Sequence, residues 1–131
     1  MRGSEGDPEM NREALADHVL LSHFIIYVEN HLQEPLPIKR LAEVLSTTPK
    51  HLSWVVNHQL DLPVPTYIRR RRIREAAKAV RSTDTPMRDI AHRFQFTHQH
   101  YFSTLFRREF DLSPTAYRRL FYGSSQGKDS M

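Results

Sequence analysis

Leu41-Ala42-Glu43-Val44-Leu45-Ser46-Thr47, followed by Leu52, Val56, Leu60-Asp61-Leu62 and Tyr67, decides the fold because the pattern returns about 50 positions later. The second copy reads Ile90-Ala91-His92-Arg93-Phe94-Gln95-Phe96, followed by Phe102, Phe106, Phe110-Asp111-Leu112 and Tyr117. Each copy holds a short helix with a small Ala, a tight turn, and a second helix with an apolar stripe, the layout of a helix-turn-helix. Alanine suits the point where two helices cross steeply and leave no room for a longer side chain. The turn position that usually holds a glycine at positive φ is Ser46 in one copy and Gln95 in the other. A side chain there costs roughly 1 kcal/mol, so a marginal or altered turn is expected.

Outward from the repeat, proline punctuates the chain, because its fixed φ and missing N–H suit a first helical turn. Seven helices and no strands are expected. The first runs from about Leu15 to Leu32, and Pro37 opens one to about Leu45. Thr48 caps and Pro49 starts the next, to about Leu60; Pro63 and Pro65 lead into a long helix ending near Arg81. Thr85-Pro86 starts a helix that stops near Phe94. Thr97 is the expected N-cap of the helix whose face is Phe102, Leu105, Phe106 and Phe110. Ser113-Pro114 starts the last, through about Phe121. The fold class is therefore all-α, with two helix-turn-helix subdomains (11–62 and 82–122) joined by a connecting helix (63–81). Residues 1–10 read as a disordered leader, with Met-Arg-Gly-Ser as an added scar, and 123–131 as a flexible tail.

The 131 residues fit one compact domain. With no cysteine, disulfide frameworks and thiolate metal sites are excluded. The longest apolar run, Val19-Leu20-Leu21 with Phe24-Ile25-Ile26-Tyr27-Val28, is too short to span a bilayer and does not resemble a secretory signal, so a cytoplasmic location is expected. The net charge of +4 is unevenly spread: residues 1–35 carry two Arg against seven acids, and residues 36–122 carry sixteen Lys or Arg against seven. A repeated helical region this basic has the electrostatic footprint of a polyanion binder.

The same residues resemble the DNA-binding region of the AraC/XylS family of bacterial transcription regulators, in particular its short single-domain MarA/SoxS/Rob-type members. The resemblance runs from about Ile25 to Arg119. It is strongest at Val28-Glu29-Asn30-His31-Leu32 with Pro35-Leu36, at Tyr67-Ile68-Arg69 with Arg72 and Ala76-Ala77, and from Ile90-Ala91 through Phe110-Asp111 to Pro114 and Tyr117-Arg118. It implies two subdomains on a central helix, binding promoter DNA as a monomer and recruiting bacterial RNA polymerase. A sequence-specific activator acting at the nucleoid is the expected function, with no membrane partner and no cofactor.

Base reading needs side chains that project from the N-terminal part of a helix into the major groove. With Leu52, Val55 and Val56 facing inward, Lys50, Ser53, Trp54 and Asn57 are the base-reading candidates of the first unit. Those of the second are Gln99, His100, Ser103 and Thr104, with Gln99 matching a family glutamine and suited to adenine. Lys50, Ser53 and Trp54 depart from the relatives' residues, so the relatives' target sequence does not carry over. Trp54 has two readings: contact with thymine methyls or the sugar backbone, or packing between subdomains or on the first helix. Phosphate contacts, which position without specifying, are assigned to Thr48, His51, Arg69, Arg72, Thr97, Arg107, Arg108 and Arg118, with Lys39, Arg40 and Arg119 of the same type. Arg69 and Arg72 match the family and have structural ion pairing as a second reading, whereas Arg70, Arg71 and Arg74 are expected to be solvated or to meet phosphates or polymerase.

His92, His98 and His100 lack helical ligand spacing and an acidic partner, so no metal site is expected. No Gly-rich phosphate loop, catalytic carboxylate pair or Ser-His arrangement supports an enzyme. The competing function is a protein-interaction module, contacting polymerase or another regulator without reading DNA.

Overall fold

The computed structural model describes residues 8–129, with side chains described for 11–122. Among the described residues there are seven helices and no strand: α1 (Pro8–Asn30), α2 (Ile38–Val44), α3 (Pro49–Leu60), α4 (Val64–Ser82), α5 (Met87–Arg93), α6 (Gln99–Phe110) and α7 (Pro114–Asp129). The starts follow the chemistry expected of them. Thr48 accepts the His51 N–H at 3.1 Å and Pro49 occupies the first turn of α3, while Ser113 Oγ accepts the Ala116 N–H at 3.1 Å ahead of Pro114.

Both ends of the chain differ from expectation. Helix α1 begins at Pro8, so residues 8–10 of the expected leader are helical, and residues 1–7 lie outside the described residues. Helix α7 continues past Phe121 to Asp129, where a tail was expected, and residues 130–131 lie outside the described residues. A nucleated helix extends by one hydrogen bond per residue at little cost, which local composition alone does not reveal.

The chain divides into two compact units: one comprises the residues through His31 with Leu36–Tyr67, the other Leu32–Pro35 with the chain from Ile68 on. The division falls inside α4. Most of this helix therefore belongs to the second unit, where Ile73, Ala76, Ala77 and Val80 are buried, and it is more than the connector expected over 63–81.

In the first unit α1 and α2 both pack on α3. Phe24, Val28, Leu41, Leu52, Val55 and Val56 are fully enclosed, and the Tyr67 ring closes on Phe24 at 5.5 Å. In the second, α5 and α7 pack on α6. Phe102 and Phe106 are its centre, joined to Phe96 at 5.4 Å, Phe110 at 4.8 Å and Tyr117 at 5.2 Å. Tilted and edge-on aromatic pairs of this kind add to plain area burial. Ala42 and Ala91, the small residues of the repeat, are both buried.

The turns carry the repeat in backbone geometry. Ser46 (φ 58°) and Gln95 (φ 71°) are left-handed, as the missing glycines imply. In each turn the next N–H reaches back five residues (Thr47 to Ala42 O, Phe96 to Ala91 O, both 2.9 Å), and the left-handed residue's own N–H bonds Glu43 or His92 O. This Schellman pattern satisfies the helix's last carbonyls. Asp61 (φ 59°) and Asp111 (φ 62°) end α3 and α6 in the same left-handed region, with N–H bonds to Asn57 O and Arg107 O.

The second turn is one residue longer than the first. Two positions separate Ser46 from the cap Thr48, but three separate Gln95 from the cap His98. Thr97 is therefore not the N-cap of α6. His98 takes that place with extended backbone and no side-chain bond.

Candidate nucleic-acid interface

Helix α3 has one buried side, Leu52, Val55 and Val56, which forces Lys50, Ser53, Trp54 and Asn57 onto the opposite, exposed side. Trp54 is 53 % exposed. Its ring stacks on His58 at 4.7 Å and, more loosely, on His51 at 6.3 Å, each within 10° of parallel. The indole is not buried: it lies along its own helix and borders a surface cleft with Glu13, Ala16 and Asp17 of the first helix. His58 was not among the sequence candidates, although its i+4 spacing from Trp54 was a usable signal.

His51 is exposed, but its Nε2 lies 3.0 Å from Asp17 Oδ1 on α1. An anionic partner already occupies the face where a phosphate contact was expected. Asp17 sits 34 residues away, so no local pattern announces it. Thr48 is exposed, and because its oxygen accepts the capping bond its hydroxyl proton remains available to an acceptor.

In the second unit Gln99 and His100 are exposed in the first turn of α6, while Ser103 and Thr104 are half-buried one turn on. Thr104 donates its hydroxyl to His100 O at 3.0 Å, which leaves its methyl as the outward group. Thr97 is exposed ahead of the helix, and Arg107 and Arg108 are exposed toward its end. Tyr101, not expected from sequence, is 46 % exposed beside Phe96.

Two arginines expected at phosphates are turned inward. Arg72 donates from Nε to Leu32 O at 2.9 Å and from Nη2 to Glu34 O, and burial pulls its guanidinium below the usual arginine value. It clamps the Leu32–Pro35 strap to α4, serving carbonyls that no helix ladder satisfies. Arg118 likewise donates from Nε to Val80 O at 2.8 Å, one of the last carbonyls of α4, and its Nη2 is buried without a partner. Arg72 and Arg118 are therefore corrected from phosphate contacts to internal clamps. Arg69 is half-buried on α4.

Arg70 (3.5 Å) and Arg74 converge on Glu109 of α6, and Arg71 pairs with Glu75 at 3.6 Å, so these three are not simply solvated. Of the cations assigned to DNA contact, Lys39, Arg40, Lys50, Arg107, Arg108 and Arg119 are exposed. No group of three metal-ligating side chains gathers among the described residues, and no helix there is long and apolar enough to cross a membrane.

A helix-turn-helix domain model matches residues 41–120, the span that holds both repeats. The chain belongs to the AraC/XylS family of helix-turn-helix transcription regulators. Within this family it is 34 % identical over 99 residues to the transcriptional activator AarP of Providencia stuartii, covering 76 % of this chain and 73 % of that one. It is 31 % identical over 100 residues to the right origin-binding protein of Escherichia coli, covering 76 % of this chain but 35 % of that longer protein. Among solved structures, the C-terminal domain of the response regulator AraT from Geobacillus stearothermophilus matches with a TM-score of 0.71 at 30 % identity, over 77 % of this chain and 84 % of that one. The DNA-binding domain of the global transcriptional factor AdpA, solved in complex with a target DNA, shares the fold with a TM-score of 0.72 at 19 % identity, over 79 % and 94 % of the two chains.

Proposed function

We propose that the chain is a sequence-specific double-stranded DNA-binding activator that engages promoter DNA as a monomer, with α3 and α6 in adjacent major grooves, and contacts RNA polymerase there. The observation that carries this reading is the pair of repeated helices, each fixed by a buried apolar side and a Schellman turn, each with a polar outer face. Lys50, Ser53, Trp54 and Asn57 read one groove, and Gln99, His100, Ser103 and the Thr104 methyl read the other. Thr48, Thr97, Arg107 and Arg108 hold phosphates beside them, with Arg69 of α4 contributing a neighbouring cation. His51 joins them once Asp17 releases it. Relatives named as activators and a shared fold solved on DNA support the reading.

The DNA is expected to bend toward the protein, or one unit to engage its groove only partially. Major grooves on one face of straight B-DNA recur about every 34 Å, while the 19 residues of α4 extend only about 28 Å at 1.5 Å each. Selection of bound sites from a random duplex pool, followed by footprinting and circular-permutation gel shifts, tests the whole reading. The expected result is two protected segments one helical turn apart on a bent site. Recovery of no enriched sequence, with retention of a polymerase subunit in pull-down, would replace it with the interaction-module reading.

A further inference from the structure

Helix α1 is apolar on two opposite sides. Leu21, Phe24 and Val28 are buried in the first unit, yet Leu15, Val19 and Ile26 are 62 %, 43 % and 58 % exposed. At 100° per residue those three fall within about 40° of one another. With Ser22 they follow the 4-3-4 spacing of a helix-pairing seam. Single exposed apolar residues are ordinary; a stripe at seam spacing on a helix that already has a core side is not. It also lies outside residues 41–120, which match the family's domain model.

The residues of this stripe suit a second copy of α1. Set antiparallel about a two-fold axis between residues 20 and 21, Leu15 meets Ile26 of the other copy, Val19 meets Ser22, and Arg12 meets Glu29. The only charged residues on the seam thus meet with opposite sign at both ends, Glu29 adding this contact to the one it already makes within its own chain. The positions flanking it are Asn11, His18 and Ile25 on one side and Ala16, His23 and Asn30 on the other, none of them Asp, Glu, Lys or Arg. This matters because the segment through residue 35 has five more acids than bases, and acids at the seam would repel their own copies. Ser22 already donates its hydroxyl to His18 O at 3.1 Å, so covering it strands no donor.

We infer that the outer face of α1 is a self-association surface, joining two copies antiparallel through Leu15, Val19, Ser22 and Ile26 with Arg12–Glu29 pairs at the rims. The inference goes beyond the DNA reading and does not depend on it: each copy keeps its own two reading helices, and pairing couples copies on neighbouring sites. With three apolar side chains per copy, the pair is weak, of the small and transient interface class.

Sedimentation equilibrium of the full chain without DNA tests it, from low micromolar to the high hundreds of micromolar. The mass should rise toward that of a dimer, and Ile26→Lys, on an exposed position that leaves the fold intact, should hold it at monomer. Arg12→Glu alone and Glu29→Arg alone should each weaken pairing several-fold. Mixing these two variants should restore it as a heterodimer, because each then supplies the charge the other lacks at both rims. A wild-type chain that stays monomeric throughout overturns the inference. So does a dimer indifferent to Ile26→Lys, which places the contact elsewhere, or a mixture no stronger than its parts, which rules out this register.

Discussion

Glycine at position 46 and glycine at position 95 are expected to have different effects on stability, although both residues occupy the same left-handed step of the repeat. A side chain in that region is strained by about 1–2 kcal/mol relative to the right-handed basin. Glycine removes the strain but gives back about 0.5–1 kcal/mol through the greater freedom of the unfolded chain. Ser46→Gly should therefore stabilise by about 0.5–1 kcal/mol, because the exposed Ser46 side chain makes no hydrogen bond among the described residues. Gln95 differs in that its Nε2 donates to Gln33 O at 2.8 Å, tying the turn to the Leu32–Pro35 strap. Losing that bond costs about 0.5–1.5 kcal/mol, which offsets the relief, so Gln95→Gly should be neutral or slightly destabilising. Urea melts read by circular dichroism decide the matter: the midpoint should rise for Ser46→Gly at unchanged slope and stay or fall for Gln95→Gly. An equal gain at both positions would show that the glutamine bond contributes nothing and that the turns are energetically alike.

The remaining expectations concern binding and the inward arginines. Gln99→Ala and Trp54→Ala should each cost about 1–3 kcal/mol at one or two base pairs while the salt slope stays unchanged, read by competition gel shifts on a set of single-base variants of the selected site. About six neutralised phosphates would give a log–log salt slope of roughly −5, and Arg107→Ala or Arg108→Ala should each reduce its magnitude by about 1. Arg72→Met should instead destabilise the fold by about 2–3 kcal/mol, since two carbonyls lose a charged donor, with the slope of the remaining folded protein preserved; a lowered slope would return Arg72 to the phosphate set. Asp17→Asn should change stability by less than about 1 kcal/mol, as for an exposed pair, and tighten DNA binding by freeing His51 and removing a negative charge beside α3. Unchanged affinity in a filter-binding titration would place His51 away from the DNA.

The order of helices, their starts at Pro49 and Pro114, the cap at Thr48 and the left-handed turns at Ser46 and Gln95 were all legible in the chain, because each depends on residues within one or two turns of one another. Apolar periodicity likewise separated the buried side of α3 from the exposed Lys50, Ser53, Trp54 and Asn57. The Thr97 cap failed for a local reason that the repeat itself contained, since the second turn is one residue longer and shifts the cap to His98.

What local pattern does not contain is where a long side chain ends. Arg72, Arg107, Arg108 and Arg118 are alike as sequence, each a cation on a basic helix. Only the packed chain gives Arg72 and Arg118 unpaired carbonyls within reach and leaves Arg107 and Arg108 in solvent. The same holds for Asp17 on His51 and for Glu109 between Arg70 and Arg74. Helices, caps and faces follow from the 3.6-residue period and backbone sterics, which act along the chain. The partner of a flexible charged side chain follows from which distant polar groups folding brings close and shields from water, and only the tertiary structure decides that.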